Sequence, residues 1–203
     1  MLSARITTEL LELGASTVYE GSGLDCWVDP GLRPVWRGAR LAGPAFTVRA
    51  APGDNLAVQL GVRAAPAGSV LVVDGAGERV GYWGEILTEI AVQRGLAGLV
   101  IDGTVRDVDE IERTGFPVFS RGVAMRHAAK RDRGELGGVL DLAGRRVRPG
   151  DVVVADTDGV AVVPHEQLDA VLAGARTRAE KERTRIATIR SGVIPETTAE
   201  EGY

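Results

Sequence analysis

The sequence predicts an α/β protein built on a parallel β-sheet, and three observations indicate this class. Residues 69–75 and 98–103 form short, almost continuous apolar runs, and a third run spans residues 117–122. Segments with helical spacing of apolar residues, 84–95 and 108–115, lie between these runs. Strands without polar alternation are typical of sheets covered on both faces. Regular alternation of such strands with helices favours parallel connections.

The flanking segments predict further elements. Residues 3–13 predict a short helix that Ser3 caps and Gly14 ends, and residues 20–34 predict a long loop. A strand is predicted over 44–50, followed by a helix that Asp54 caps. The predicted inward faces of two helices are Leu56, Ala57 and Leu60 in the helix after Asp54, and Ile86, Leu87, Ile90 and Ala91 in the helix at 84–95.

The C-terminal part changes in character. Turn signals at Pro149-Gly150 and Asp158-Gly159 predict β-hairpins that close the sheet into a barrel-like body. Residues 165–190 predict a long C-terminal helix, whose basic residues are interrupted by Glu180 and Glu182. Such a surface favours a solvated or subunit-contact face over a nucleic-acid site. Because no linker divides the chain, we expect one domain over residues 1–203.

Composition excludes several classes of function. The formal net charge of −4 over 203 residues argues against a general nucleic-acid binder. Cys26 is the single cysteine, so no intrachain disulfide can form, which fits a reducing compartment. The N-terminus is too charged for a signal peptide, and no run of about 18 apolar residues is present. We therefore expect a cytoplasmic protein without membrane segments.

Two charged groups are predicted to meet at one edge of the sheet. Parallel α/β proteins bind ligands beyond the carboxyl ends of their strands. The helix at 84–95 begins near Gly84-Glu85, and Arg106-Asp107 follows the strand at 98–103. A helix of about ten residues rises roughly 15 Å, and the next strand returns to the same edge. With 20 residues between Glu85 and Arg106, the two groups should face each other across a cleft.

The chemistry of these groups suits a small 2-oxo acid. Glu85 and Asp107 are hard oxygen ligands for Mg²⁺ or Mn²⁺. Arg106 provides a planar cation for a carboxylate or a developing oxyanion. The backbone N–H groups of Ile86 and Leu87, at a helix start, could receive a carboxylate or phosphate.

The pattern alone leaves a simpler interpretation open. Arg-Asp neighbours are common, and the helix dipole by itself favours a Glu in a first turn. A strand feeding a solvated loop would show the same residues. Asp102 and Asn55 could line the site, and turn or cap roles would explain them almost as well.

A longer stretch, WGEILTEIAVQRGLAGLVIDGTVRDVDEI, carries a family resemblance, together with PGDNLAVQLGVRAAPAGSVLVVD upstream and PVFSRG downstream. It resembles the family of the regulator of ribonuclease E activity. That family includes the divalent-metal-dependent 4-hydroxy-4-methyl-2-oxoglutarate aldolases, which also decarboxylate oxaloacetate. The similarity runs from about residue 40 to the end of the long helix. It implies a swivelling β/β/α (phosphohistidine-domain-like) fold and homotrimers or pairs of trimers, with active sites between subunits.

The resemblance also implies residue roles. Asp107 matches the direct ligand of a divalent cation, Mg²⁺ or Mn²⁺, and Arg106 the residue that binds the keto oxygen and steadies a pyruvate enolate. Glu85 stands where the aldolases more often carry Asp, a carboxylate that acts through metal-bound water. The positions from Gly84 to Leu87 match the substrate-binding turn, where the amides of Ile86 and Leu87 hold the substrate carboxylate. Glu182, or else Glu180, is the best match for a glutamate supplied to the metal's water shell by a neighbouring chain.

Two functions of different class follow from the resemblance. The first is a metal-dependent lyase that cleaves a carbon–carbon bond of a 2-oxo acid to give pyruvate. The alternative is a non-catalytic regulator that binds and inhibits ribonuclease E. Regulator members tend to lack the first acidic residue of the motif, so Glu85 favours catalysis.

Overall fold

A computed structural model describes residues 2–195 of the chain. The helices are α1 (Ala4–Ser22), α2 (Leu56–Ala64), α3 (Glu85–Gln93), α4 (Val108–Thr114) and α5 (Leu168–Arg190), the last preceded by a 3₁₀ turn over His165–Gln167. The strands are β1 (Arg33–Pro34), β2 (Leu41–Arg49), β3 (Val70–Asp74), β4 (Gly81–Trp83), β5 (Gly98–Asp102), β6 (Thr104–Val105), β7 (Val118–Ser120), β8 (Glu135–Leu136), β9 (Leu140–Leu142), β10 (Arg145–Val147), β11 (Val152–Ala155) and β12 (Val160–Val163).

The main sheet confirms the predicted α/β class. Strands β2, β3, β5 and β7 are adjacent and parallel, so that Val72 pairs with Thr47 on one side and Val100 on the other. Strand β11 continues the sheet antiparallel to β2, and β12 pairs with β11 in the hairpin predicted around Asp158-Gly159. The sheet curls into a half-barrel, and the predicted long C-terminal helix is present as α5.

Both faces of the parallel strands are buried because successive side chains point to opposite sides. Leu71, Val73 and Ile101 pack beneath α2, α3 and α4. Val72 and Val100 face the other way, toward the β9–β10 hairpin. The absence of polar alternation in the sequence is thus explained by apolar layers on both sides.

A third apolar cluster attaches the long helices to the antiparallel end of the sheet. Leu10 and Val18 of α1 and Leu172 of α5 pack with Val154 and Val163 from the β11–β12 hairpin. The N-terminal half of α5 therefore belongs to the core. None of the helices within residues 2–195 is both long and apolar enough to cross a membrane.

The first helix is longer than predicted. Ser3 caps it as expected, with Oγ accepting from Ile6 N–H at 3.3 Å, but Gly14 does not end it. Gly14 has φ 79° and ψ 165°, which breaks the helix locally, and the chain resumes a helix up to Ser22. The Asp156 carboxylate accepts from the N–H of Ala15 at 2.8 Å and so caps the restarted helix. The predicted loop accordingly begins near residue 23 instead of residue 20.

Two predicted helix faces are wrong in part. In α2 the buried residues are Ala57, Val58, Gly61 and Val62, whereas Leu56 and Leu60 are only half-buried. A Cβ on Gly61 would lie 2.5 Å from Cγ2 of Val48, so this glycine lets the helix lie close against β2. In α3 Leu87 and Ala91 are buried as predicted, but the Ile86 side chain is 74% exposed. Ile86 lies in the first turn, at the pocket described below, and not over the sheet.

Candidate active site

Two short strands bring the predicted halves of the site together. Strands β4 and β6 pair in parallel, with Gly81 opposite Thr104 and Trp83 opposite Val105. The N–H of Arg106 then donates to the C=O of Trp83 at 2.9 Å. Because β4 leads into α3 and β6 leads into Arg106-Asp107, the start of the helix and the end of the strand pair lie side by side.

Two glycines make room for the charged side chains. A Cβ on Gly84 would lie 2.3 Å from Oδ2 of Asp107, and a Cβ on Gly81 would lie 3.0 Å from Cδ of Arg106. Gly84 has φ −170°, an extended conformation open to any residue, so the requirement for glycine is steric. The position of the Asp107 carboxylate therefore depends on the missing side chain at Gly84.

Asp107 occupies an uncommon backbone conformation. Its φ of 58° and ψ of 46° place it in the left-handed region, which costs a non-glycine residue roughly 1–2 kcal/mol. Oδ2 of this residue accepts from the N–H of Glu85 at 3.0 Å and lies 3.6 Å from Nε of Arg106. Backbone strain of this kind clusters at binding and catalytic sites, where the surrounding structure maintains it.

The N-terminus of α3 presents free donors to the same place. Its first intrahelical bond runs from the N–H of Thr88 to the C=O of Gly84, at 3.0 Å. The N–H of Glu85 is taken by Asp107, and those of Ile86 and Leu87 precede the first helical bond. These two residues line the pocket, so their N–H groups can receive an anion.

A pocket of about 320 Å³ collects these groups. Its volume is at the small end of the range for small-molecule sites. Acidic and basic residues both line it. The acidic ones are Glu85, Asp107 and Glu110, and the basic ones are Arg63, Arg106 and Lys130. The complete lining is Asn55, Gln59, Arg63, Gly81, Tyr82, Trp83, Gly84, Glu85, Ile86, Leu87, Arg106, Asp107, Glu110 and Lys130.

The donor set fits a divalent cation bound mainly by substrate and water. Within residues 2–195, no three His, Cys, Asp or Glu side chains are arranged to hold a metal ion. Mg²⁺, however, is commonly bound by one or two carboxylates and completes its octahedron with water and substrate oxygens. Asp107 and Glu85 supply two hard oxygen donors at the pocket, together with space for such ligands.

The two C-terminal glutamates lie elsewhere in the chain. Glu182 accepts from Nε of Arg178 at 2.9 Å, and Glu180 pairs with Arg183. Both line a separate cavity between α1 and the C-terminal part of α5. One copy of the chain does not bring them to Asp107, and their contribution from a neighbouring copy stays a prediction.

Asp102 has a structural role in this fold. It is buried, and its Oδ1 accepts from Nε of Arg121 at 2.7 Å. The same guanidinium donates to Asp29 at 2.7 Å, so the pair fastens the loop before β1 to the end of β5. Asp102 is not among the residues that line the pocket, and the ion pair with Arg121 is a role that the sequence analysis did not consider.

Two buried aromatic residues, Tyr82 and Trp83, form part of the pocket lining. Trp83 is buried, donates from Nε1 to Oγ1 of Thr88 at 2.7 Å and stacks on Phe116 with ring centroids 6.1 Å apart. The Tyr82 hydroxyl donates to the C=O of Gly75 at 2.9 Å and accepts from the N–H of Gly53 at 2.7 Å. Burial raises the pKa of Tyr82, so its hydroxyl remains a neutral structural donor.

Among the charged and amide residues that line the pocket, sequence reasoning missed four, namely Gln59, Arg63, Glu110 and Lys130. A signal for two of them was present, because Asn55, Gln59 and Arg63 are spaced four apart and form one polar stripe. Oδ1 of Asn55 accepts from Nε2 of Gln59 at 3.0 Å, and Arg63 donates to the C=O of Gln59 at 2.6 Å. Asn55 lines the pocket, as the sequence allowed.

The curled α/β sheet with its long C-terminal helix is the fold of RraA proteins. A family profile described as Aldolase/RraA matches residues 15–162. The chain therefore belongs to the RraA-like family, as the resemblance predicted.

Individual relatives agree with this assignment. A protein of Halalkalibacterium halodurans named "Putative 4-hydroxy-4-methyl-2-oxoglutarate aldolase" is 34% identical over 164 residues, which cover 80% of this chain and 78% of that protein. The crystal structure of an uncharacterized protein from Pseudomonas syringae pv. tomato superimposes with a TM-score of 0.81, at 30% identity, over 95% of this chain and 96% of that one. The RNA-processing inhibitor RraA from Thermus thermophilis gives a TM-score of 0.63 at 32% identity, over 68% and 84%.

Proposed function

We propose that this protein is a divalent-metal-dependent lyase that cleaves a carbon–carbon bond of a 2-oxo acid to release pyruvate. Its activities would be aldol cleavage of 4-hydroxy-4-methyl-2-oxoglutarate and decarboxylation of oxaloacetate. The observation that carries the proposal is the convergence of Glu85, Arg106, Asp107 and the N-terminus of α3 on one pocket. The name of the Halalkalibacterium halodurans relative supports the same substrate class.

The cation would be Mg²⁺ or Mn²⁺, held directly by Asp107 with Glu85 acting through water. Bound there, it would supply Lewis-acid polarisation of the 2-oxo group. The N–H of Glu85 fixes Oδ2 of Asp107 at 3.0 Å, which orients the carboxylate and leaves its other oxygen for the ligand role.

The substrate is oriented by the chain's own donors. Its C1 carboxylate accepts from the N–H groups of Ile86 and Leu87, where the helix dipole favours negative charge. The Arg106 guanidinium donates to the C2 oxygen. As the C3–C4 bond breaks, negative charge grows on the C2 oxygen. The preorganised Arg106 guanidinium stabilises that charge in the transition state.

Glu85 moves the protons. In aldol cleavage it takes the proton of the C4 hydroxyl through a water molecule, and C4 becomes the carbonyl carbon of the leaving product. The electron pair of the C3–C4 bond forms the C2–C3 double bond of pyruvate enolate. Glu85 then returns a proton to C3, which gives the methyl group of pyruvate. In oxaloacetate decarboxylation the electron pair of the C3–C4 bond forms the same enolate as CO₂ leaves. No hydroxyl proton is removed, so the proton added to C3 comes from solvent water through Glu85.

Oxaloacetate turnover tests the proposal. The purified protein is incubated with oxaloacetate and Mg²⁺ or Mn²⁺, and pyruvate release is followed with and without EDTA. We expect release well above the background of the metal alone, and its loss on addition of EDTA. Turnover indistinguishable from that background would exclude the lyase.

A second candidate, inhibition of ribonuclease E without catalysis, is favoured by one observation. The RraA structure from Thermus thermophilis, an RNA-processing inhibitor by its title, is 32% identical to this chain. Measuring ribonuclease E cleavage of an RNA with and without this protein separates the candidates. The lyase proposal predicts no inhibition at concentrations that give full oxaloacetate turnover.

We also propose that copies associate as a homotrimer or a pair of trimers, with Glu182, or Glu180, reaching a neighbour's site. Mixing two inactive variants tests this arrangement. Asp107→Ala and Glu182→Gln chains, mixed under conditions of subunit exchange, should regain activity, because some mixed sites contain both native carboxylates. A mixture no more active than its components, although exchange is shown by mass spectrometry, would contradict a shared site.

A further inference from the structure

The segment of residues 123–132 crosses from the strand pair of the site to the start of α2. Its first half lies along that pair, where the N–H of Ala124 donates to the C=O of Val105 at 2.9 Å. The N–H of Gly81 donates in turn to the C=O of Arg126 at 2.8 Å. The segment is therefore anchored to β4 and β6 before it reaches α2.

Its second half is bound to the turn before α2. The N–H of Ala129 donates to the C=O of Gly53 at 2.7 Å, and the N–H of Asn55 donates to the C=O of Ala129 at 2.9 Å. Immediately beyond, Oδ2 of Asp54 accepts from the N–H groups of Arg131 at 2.7 Å and Asp132 at 3.1 Å. Two backbone bonds and one carboxylate thus fix this end of the segment.

Asp54 is a buried side chain with both oxygens occupied. It is only 5% exposed, and its Oδ1 accepts from the N–H of Leu56 at 2.9 Å. Burial raises the pKa of Asp54, but three backbone N–H donors and the charge of Arg131 outweigh that effect and lower the pKa below its ordinary value. The residue is therefore an ionised carboxylate that joins α2 to residues 131–132.

Lys130 lies between two residues whose backbones are hydrogen-bonded to the turn before α2. Its neighbours Ala129 and Arg131 are both hydrogen-bonded to the turn at 53–55, and Lys130 itself is among the residues that line the pocket. Among residues 2–195, no carboxylate lies within ion-pair distance of its ammonium. The cation is consequently available to a ligand.

We infer that Asp54 is a positioning residue that holds Lys130 toward the pocket, where the ammonium takes the second carboxylate of a dicarboxylic 2-oxo acid. This inference rests on the proposed function, because the C1 carboxylate and the keto oxygen are assigned to α3 and Arg106. Lys130 comes from a different element and is left for the distal end of the substrate. Arg63, from α2, is the other lining cation without an assigned role.

The binding test compares 2-oxoglutarate with pyruvate, which lacks the second carboxylate. Both are titrated calorimetrically, with Mg²⁺ present, into wild type, Asp54→Asn, Lys130→Met and the double variant. We expect Asp54→Asn and Lys130→Met each to weaken 2-oxoglutarate binding by about tenfold, as befits a lost charge-assisted contact. Pyruvate binding should change by less than about twofold. In the Lys130→Met background, Asp54→Asn should cause no further weakening of 2-oxoglutarate binding.

Two further variants separate positioning from general destabilisation. Asp54→Ser keeps an oxygen that can accept from the N–H of Leu56, two residues on, but its shorter side chain cannot also reach residues 131 and 132. It should behave like Asp54→Asn even if the latter folds poorly. Asp151→Asn is the matched control: it is 4% exposed and accepts from the N–H of Arg148 at 2.8 Å, outside the pocket lining. Its binding of both ligands should equal that of wild type.

Amide hydrogen exchange gives a readout independent of any ligand. The amides of Arg131 and Asp132 should exchange faster by about tenfold or more in Asp54→Ser than in wild type, and be unchanged in Asp151→Asn. Unchanged exchange at these amides would overturn the inference. So would equal weakening of pyruvate and 2-oxoglutarate, or fully additive effects of the Asp54 and Lys130 variants. If the wild type binds neither ligand, the proposed function fails, and the inferred role of Asp54 toward a substrate fails with it, whatever the exchange shows.

Discussion

The carboxylate of Asp107 accepts a hydrogen bond from the backbone N–H of Glu85, at 3.0 Å and across 22 residues of sequence. This bond joins the end of β6 to the first turn of α3. It makes the two halves of the pocket one unit, because Arg106 follows β6 directly and Nε of Arg106 lies 3.6 Å from the same oxygen. Displacement of one partner should therefore disturb the other.

Gly84→Ala tests the steric requirement at this bond. The new Cβ would lie 2.3 Å from Oδ2 of Asp107, so the carboxylate must move. We expect Mn²⁺ affinity, measured by electron paramagnetic resonance of the free ion, to fall by about tenfold or more.

Gly138→Ala is the control for this change. Its Cβ would meet the end of the Glu135 side chain, which can move away, and its Mn²⁺ affinity should equal that of wild type. Unaltered Mn²⁺ binding by a folded Gly84→Ala variant would show that Asp107 needs no fixed position.

Arg106→Lys retains the charge but loses the planar pair of donors. If the guanidinium stabilises the developing oxyanion, kcat for pyruvate release should fall by about 10²–10³-fold. Arg146→Lys, on the exposed side of β10, should leave kcat unchanged. A lysine variant with wild-type kcat would mean that charge alone is needed and that no directed contact exists.

Glu85→Gln should separate the two reactions. Aldol cleavage requires removal of the C4 hydroxyl proton, so its kcat should fall by about 10²–10⁴-fold. Oxaloacetate decarboxylation, which requires only that a proton from solvent water be added to C3, should fall less. Glu89→Gln, one turn later on α3 and exposed, provides the comparison. Equal losses in both reactions would argue against Glu85 as the base for the hydroxyl.

The stability contributed by Asp54 should depend on pH. Its pKa is lowered in the folded protein from the ordinary 3.8, so the ionised form stabilises the fold fully above that value. The contribution disappears as the pH falls through the lowered pKa. The free energy of unfolding of Asp54→Asn should thus be about 1–3 kcal/mol below that of wild type at pH 7 and pH 5. Urea denaturation at pH 3 should show a smaller difference, and a difference that grows with acidity would contradict this sign.

The parallel core was predictable because the pattern that indicates it lies within the sequence of each strand. Val70–Asp74 and Gly98–Asp102 are buried on both faces, which removes polar alternation from the sequence itself. The extent of α1 was not predictable, because the helix resumes after Gly14 through a hydrogen bond from Ala15 to Asp156, 141 residues away. A helix that is broken at one residue can thus continue when a side chain from a distant part of the chain caps the restarted segment.

The candidate site was predictable only in part for a similar reason. The spacing from Glu85 to Arg106-Asp107 follows from one helix and one returning strand. The strands that align them, Gly81–Trp83 and Thr104–Val105, have three and two residues and are too short to show periodicity. Lys130 lines the pocket from a segment whose next residue, Arg131, is hydrogen-bonded to the distant Asp54, and no local pattern reveals this contact.

Pyruvate release from oxaloacetate by wild type, Asp107→Asn and Asp109→Asn, in Mg²⁺, tests the central claim most directly. Asp109 lies in the first turn of α4, is exposed and does not line the pocket. It is therefore a matched control, because it shares with Asp107 the negative charge and the position near the start of α4 but not the place in the pocket. We predict EDTA-sensitive turnover that Asp109→Asn retains and that Asp107→Asn reduces by about 10²-fold or more, because the direct metal ligand is lost. Equal turnover by Asp107→Asn and wild type would contradict the account.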